Sequence, residues 1–161
     1  MRKSSKGFSL IELLIVVAII LIIAAIAIPN LLRSRIAANQ ASAVGSLRTV
    51  NTAEVTYSST YNVGFTVTMA YLAPPATAGA NPTSTAAGVI DSVLAAGSKS
   101  GYSFTYSPGA SDSTGRINTY SVLAVPITSS TGTNYYYTDQ SGVIRQNSTT
   151  TAASTDSPIG G

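Results

Sequence analysis

The chain has 161 residues, nine Lys or Arg, six Asp or Glu, and neither cysteine nor histidine. Those absences remove disulfides, thiolate chemistry and the commonest general base and metal ligand. Charged residues make up only 9% of the sequence, against a usual quarter, so the surface is polar and uncharged and offers no basic field for nucleic acid.

The N-terminus concentrates what charge there is. Arg2, Lys3 and Lys6 precede Gly7; without them, six basic side chains face six acidic ones. Phe8-Ser9-Leu10-Ile11-Glu12 follows, and then sixteen uninterrupted apolar residues from Leu13 to Ile28. As a helix, residues 8–28 measure about 32 Å, which matches a hydrocarbon core of about 30 Å. Glu12 is therefore a carboxylate near the start of a segment that can span a bilayer. A charge there costs about 2.5–3.5 kcal/mol on insertion scales, so it calls for a partner or a task. Basic residues ahead of the span predict a cytoplasmic N-terminus and an exported C-terminal domain. The apolar run is longer than the h-region of an ordinary secretory signal, and no small-residue cleavage site follows it.

The run from Gly7-Phe8-Ser9-Leu10-Ile11-Glu12 through Ala27-Ile28-Pro29 resembles the class III signal peptide and N-terminal helix of type IV pilins and pseudopilins. The resemblance covers about residues 1–60; beyond them it holds in outline only. It implies cleavage between Gly7 and Phe8 by a prepilin peptidase, N-methylation of the new Phe8 amine, and pairing of that amine with Glu12 of a neighbouring subunit. Residue-level reading leaves a second possibility for Glu12, which is to be protonated and bonded within its own helix, with no partner. Gly7 in turn has the alternative of capping an uncleaved anchor. The lack of cysteine departs from many type IV pilins, whose headgroups close a C-terminal loop with a disulfide.

Past Pro29 the helical pattern continues. Leu32, Ile36, Ala43, Leu47, Val50, Tyr57 and Tyr61 fall in one stripe at about 100° per residue, interrupted by Asn39 and Glu54. One helix is predicted from about Phe8 to Tyr61, with a kink at Pro29, which lacks an amide hydrogen. Arg33 and Arg35 are read as solvated, with lipid headgroups or a neighbour's acids as alternatives. Residues 62–98 read as a loop broken by Pro74-Pro75 and Asn81-Pro82, with a short helix over 89–96 ended by Gly97. Tyr102, Phe104 and Tyr106 alternate with polar residues, 118–127 is rich in Tyr, Val and Leu, and 135–137 and 143–145 flank a hairpin turn at 139–142. Residues 148–161 read as a mobile Ser/Thr-rich tail.

The resulting expectation is an α+β fold: a long N-terminal helix, kinked near Pro29, packed on an antiparallel sheet of three or four strands, the pilin fold. Its organisation is a basic leader at 1–7, a membrane or filament-core helix at 8–29, an amphipathic helix at 30–61, an αβ loop at 62–98, a sheet at 99–147 and a tail at 148–161. No catalytic constellation, cofactor or metal is expected; Asp139 and Asp156 are too isolated for a calcium site. Asn147-Ser148-Thr149 matches a glycosylation sequon at chance level.

The resemblance implies a structural pilus subunit stored in the inner membrane and polymerised into an extracellular filament. Its implied partners are other copies of the chain, a prepilin peptidase and methyltransferase, an assembly ATPase acting through a platform protein, and a secretin. Two alternatives stand beside it: a type II secretion pseudopilin forming a short periplasmic fibre, and a membrane-anchored binding domain that does not polymerise.

Overall fold

The computed structural model describes residues 7–160. A single helix, α1, spans Leu10–Tyr61, 52 residues, and runs through Pro29 without interruption. It contributes to two compact units, divided along the chain after Arg35.

In the first unit, α1 presents its apolar residues outward on every side. Phe8 and Leu10 are each 80% exposed and Ile28 is 66% exposed. Nothing in the 18-residue window that makes this helix long and apolar enough to cross a membrane is buried. Side chains of this kind are stable only when another phase or another chain covers them.

The second unit is a headgroup built around the remainder of α1. Five strands form an antiparallel meander in sequence order. They are β1 Ser98–Lys99, β2 Tyr102–Pro108, β3 Tyr120–Pro126, β4 Tyr135–Asp139 and β5 Arg145–Asn147. Their period-2 alternation puts Tyr102 and Phe104 of β2, Tyr120, Val122 and Ala124 of β3, and Tyr136 and Thr138 of β4 on the buried face. Phe104 lies opposite Ala124, and Ala124 opposite Tyr136, so a small residue separates two aromatic rings across the sheet. From α1 the core receives Ala43, Leu47, Val50, Ala53 and Tyr57, and from the following loop Met69 and Leu72.

The covered stripe is shorter than its sequence pattern. Complete burial begins at Ala43, and Leu32 remains 42% exposed. The two interruptions of the stripe are ties instead of faults. The Asn39 amide donates to Thr131 O at 2.9 Å, and Glu54 is the most buried acid in the headgroup. Asn51 adds a third tie: its Nδ2 donates to Thr138 Oγ1, and its Oδ1 accepts from Tyr120 Oη. Among the described residues the sole ion pair is Lys99–Asp91, at 2.8 Å.

Three segments differ from the sequence reading. The sheet has five strands, because Ser98–Lys99 adds a short edge beside β2. The short helix α2 covers only Ser92–Ala95. The amides of Val89 and Ile90 donate to Leu72 O and keep that stretch out of the helix, and Asp91 then caps the helix by accepting from Leu94 N. The residues after β5 are not a free tail. Gln146 N donates to Ser157 O, Ile159 N to Ile144 O, and Arg145 Nη1 to Asp156 O, while Ala152 is buried. Asp156 organises this return by accepting from Asn147 Nδ2 and Ala153 N. Between α1 and the sheet, Gly64 at φ +84° approaches the Ile117 backbone, where any Cβ would collide; Phe65 N donates to Ile117 O there at 2.7 Å.

Candidate functional site at the helix N-terminus

The residues singled out from sequence lie at the start of α1. Gly7, Phe8 and Ser9 are non-helical and exposed, and the helix begins at Leu10. Ser9 is the N-cap: its carbonyl accepts the first helical bond, from Leu13 N at 3.2 Å. Glu12 is then the third helical residue. Its Oε2 accepts from Ser9 N at 2.9 Å, which is one half of a capping box. This contact satisfies an amide that the helix leaves without a partner and places an anion at the positive end of the helix dipole.

Gly7, Phe8 and Glu12 thus lie within six consecutive exposed residues, with the Gly7–Phe8 peptide outside the helix. Glu12 Oε2 is engaged by Ser9 N within the chain, and Oε1 makes no hydrogen bond among the described residues. Ser9 itself was not among the sequence candidates. The Ser-x-x-Glu spacing ahead of an apolar run is the signal that identifies it. Arg2, Lys3 and Lys6 lie outside the described residues. Pro29 sits inside α1, far from this turn.

A second polar cluster lies in the headgroup and has no counterpart among the sequence candidates. Glu54 is 0% exposed, and its carboxyl meets Thr66 twice, through Thr66 N at 3.0 Å and Thr66 Oγ1 at 2.5 Å. Burial pushes this acid above its ordinary value of 4.5, more strongly than the Thr66 hydrogen bonds pull it down. Burial also raises Tyr106 and Tyr120, with the charge of Glu54 as a second cause, and pushes Tyr102 up to about 12. Exposed Asp112 moves the other way. It accepts from the Thr114 hydroxyl and amide, Arg116 N and Asn118 Nδ2, which hold it well below the usual carboxylate range. No metal-ligating cluster occurs among the described residues.

Comparison with known proteins concerns the same N-terminal region. Residues 2–28 match the family described as the prokaryotic N-terminal methylation motif. The chain is 65% identical over 37 residues to the type IV wide pilus major component PilA4 of Thermus thermophilus, a stretch that is 23% of this chain and 28% of that protein. It is 47% identical over 53 residues to the type IV major pilin protein PilA of Myxococcus xanthus, covering 33% of this chain and 24% of that one. The chain thus spans about a quarter of the length of these curated relatives. No solved structure matches it. The architecture, one long N-terminal helix with an antiparallel sheet, matches the α+β pilin fold. Its N-terminal segment matches the methylation motif, so the likeness to these pilins is one of motif and architecture.

Proposed function

We propose that the chain is a structural subunit of a type IV pilus, made as a single-pass membrane precursor and polymerised through its N-terminal helix. The observation that carries this reading is the fully uncovered apolar helix with one carboxylate in its first turn, beside a non-helical Gly7–Phe8 peptide. A soluble protein does not leave such a surface open. In the precursor, lipid covers it; in the fibre, sister helices do.

Cleavage after Gly7 removes Arg2, Lys3 and Lys6 and creates a Phe8 amine, which the resemblance implies is then methylated. That cation and a carboxylate attract strongly at low dielectric, and each escapes an unpaired burial by meeting the other. Because the two groups lie four residues apart in one chain, pairing across parallel helices favours an axial offset between subunits. Identical subunits joined head-to-tail do not close, so a filament grows. Ala18, Ala24, Ala25 and Ala27 permit close approach of helices. The peptidase, the assembly ATPase with its platform protein, and the secretin belong to this reading as partners. No enzymatic role is assigned to the chain.

Both relatives are named as major pilus components, which favours an extracellular pilus over a periplasmic pseudopilus. Mass spectrometry of sheared surface fibres tests the proposal. Subunits should begin at methylated Phe8. Assembled subunits that retain Met1 overturn it, and subunits found only in periplasmic fibres favour the pseudopilin.

A further inference from the structure

Glu54 plays no part in assembly as argued above, yet it is the least expected side chain in the headgroup. It is a carboxyl at 0% exposure with no cation beside it among the described residues. We propose that Glu54, Thr66 and Tyr106 form a proton-controlled latch, which holds the segment 62–72 against α1 while Glu54 carries its proton and loosens when the proton leaves.

The proton count across these contacts, more than any one distance, favours a neutral acid. Thr66 N donates to Glu54 Oε2 at 3.0 Å, and Oε1 lies 2.5 Å from Thr66 Oγ1. Thr66 Oγ1 is 3.1 Å from Tyr106 Oη, and Tyr106 Oη donates to Thr66 O at 2.9 Å. With a neutral acid every proton has a place. The Glu54 O–H goes to Thr66 Oγ1, the Thr66 O–H to Tyr106 Oη, and the Tyr106 O–H to the Thr66 carbonyl. With a carboxylate, the single Thr66 hydroxyl proton must turn to Glu54. The Thr66–Tyr106 contact then has no proton, since Tyr106 has already donated its own.

The ionised form also leaves a buried negative charge among neutral groups. The titratable groups facing it are the phenols of Tyr57 on α1, Tyr106 on β2 and Tyr120 on β3, all pushed upward by burial and by Glu54 itself. The loop contributes Thr66, which does not titrate. A charge in that setting gains by reaching water, and the loop residue Thr66 lies directly against it. Loosening would uncover what the loop packs: Phe65, edge-on to Tyr120 at 4.8 Å, and buried Met69 and Leu72.

The test uses the full-length chain in detergent micelles and does not depend on fibre formation, so it stands apart from the pilus reading. Amide-exchange protection in 62–72, corrected for intrinsic exchange and taken relative to β3, should be constant at acidic pH. It should fall as pH rises, by about tenfold for each unit by which the acid is shifted. Glu54→Gln keeps an acceptor for Thr66 N and adds no charge, so its protection should be flat with pH. A flat wild-type profile, or a Glu54→Gln profile that falls like wild type, overturns the latch. A second measurement needs no change at Glu54. The sequence has two glutamates, Glu12 and Glu54, so in Glu12→Gln with isotope-labelled glutamate the infrared carboxyl band reports Glu54 alone. A protonated band persisting above pH 4.5 supports the proposal, and its loss at or below that pH sinks it.

Discussion

Replacing Glu12 with leucine separates two explanations of assembly that otherwise look alike. If subunits associate only because their helices are greasy, Glu12→Leu should assemble as well as the parent or better. Glu12 is held by one hydrogen bond, from Ser9 N, and is surrounded by exposed Leu10, Ile11, Leu13 and Leu14. Removing a charge worth about 2.5–3.5 kcal/mol on insertion scales, and adding a leucine worth about 0.3–0.6 kcal/mol in the other direction, favours the bilayer by about 3–4 kcal/mol. Those scales refer to the helix centre, so the figure is an upper value for a first-turn position. It corresponds to between two and three orders of magnitude in partitioning. The variant should therefore be exported and retained in the membrane at least as well as the parent, and should form no fibres. The assay is a sheared surface fraction beside a membrane fraction, both read by immunoblot and the former by electron microscopy. Abundant fibres from Glu12→Leu would refute the ion-pair argument and leave hydrophobicity as the sole driving force.

Other perturbations act on the headgroup. Leu47→Ala removes a side chain at 0% exposure and should cost about 2–5 kcal/mol in denaturant unfolding of the detergent-solubilised chain. Gly132→Ala places a Cβ 2.6 Å from Tyr102 Cζ, and Tyr102 is fixed by donating to Asn134 O; the thermal midpoint should fall by an amount equivalent to about 1–3 kcal/mol. For Glu54 the folded acid is shifted above its unfolded value, so the stability it lends is fully present below pH 4.5 and is lost as pH rises through the folded value. The thermal midpoint of the parent relative to Glu54→Gln should accordingly decline toward alkaline pH, and a difference that grows instead would contradict the assignment. Asp112 has the opposite sign: its folded value is depressed, so its contribution is present above its unfolded value and lost in acid, where Asp112→Asn should lose its difference from the parent.

Periodicity made the helix legible almost to its ends, because an all-apolar run followed by a one-sided stripe admits little else over fifty residues. The alternation at Tyr102, Phe104 and Tyr106 marked β2 for the same reason. What escaped detection depends on contacts distant in sequence. Val89 and Ile90 have helical neighbours but are captured by Leu72 O, and no local pattern reveals that competition. The segment after β5 has the composition of disorder, yet Ile144, Asp156 and Ile159 pin it, and composition averages hide three anchoring residues. At the N-terminal turn, Gly7, Phe8 and Glu12 stood out through the charge in an apolar helix. Ser9 carries no such mark, because a serine among hydrophobic residues gains meaning only from the glutamate three places on. Glu54 interrupts the apolar stripe in sequence, and its role depends on Thr66 and Tyr106, which only the fold places beside it.

The headgroup joins its helix to its sheet through amides, hydroxyls and phenols, and Lys99–Asp91 is the one ionic contact among the described residues. Dissolved electrolyte weakens attraction between exposed charges and has little hold on neutral dipoles in a dry interior. A headgroup fastened in this way should respond little to the screening of charges by dissolved salt. Ionic strength should register instead wherever its few free charges meet another surface.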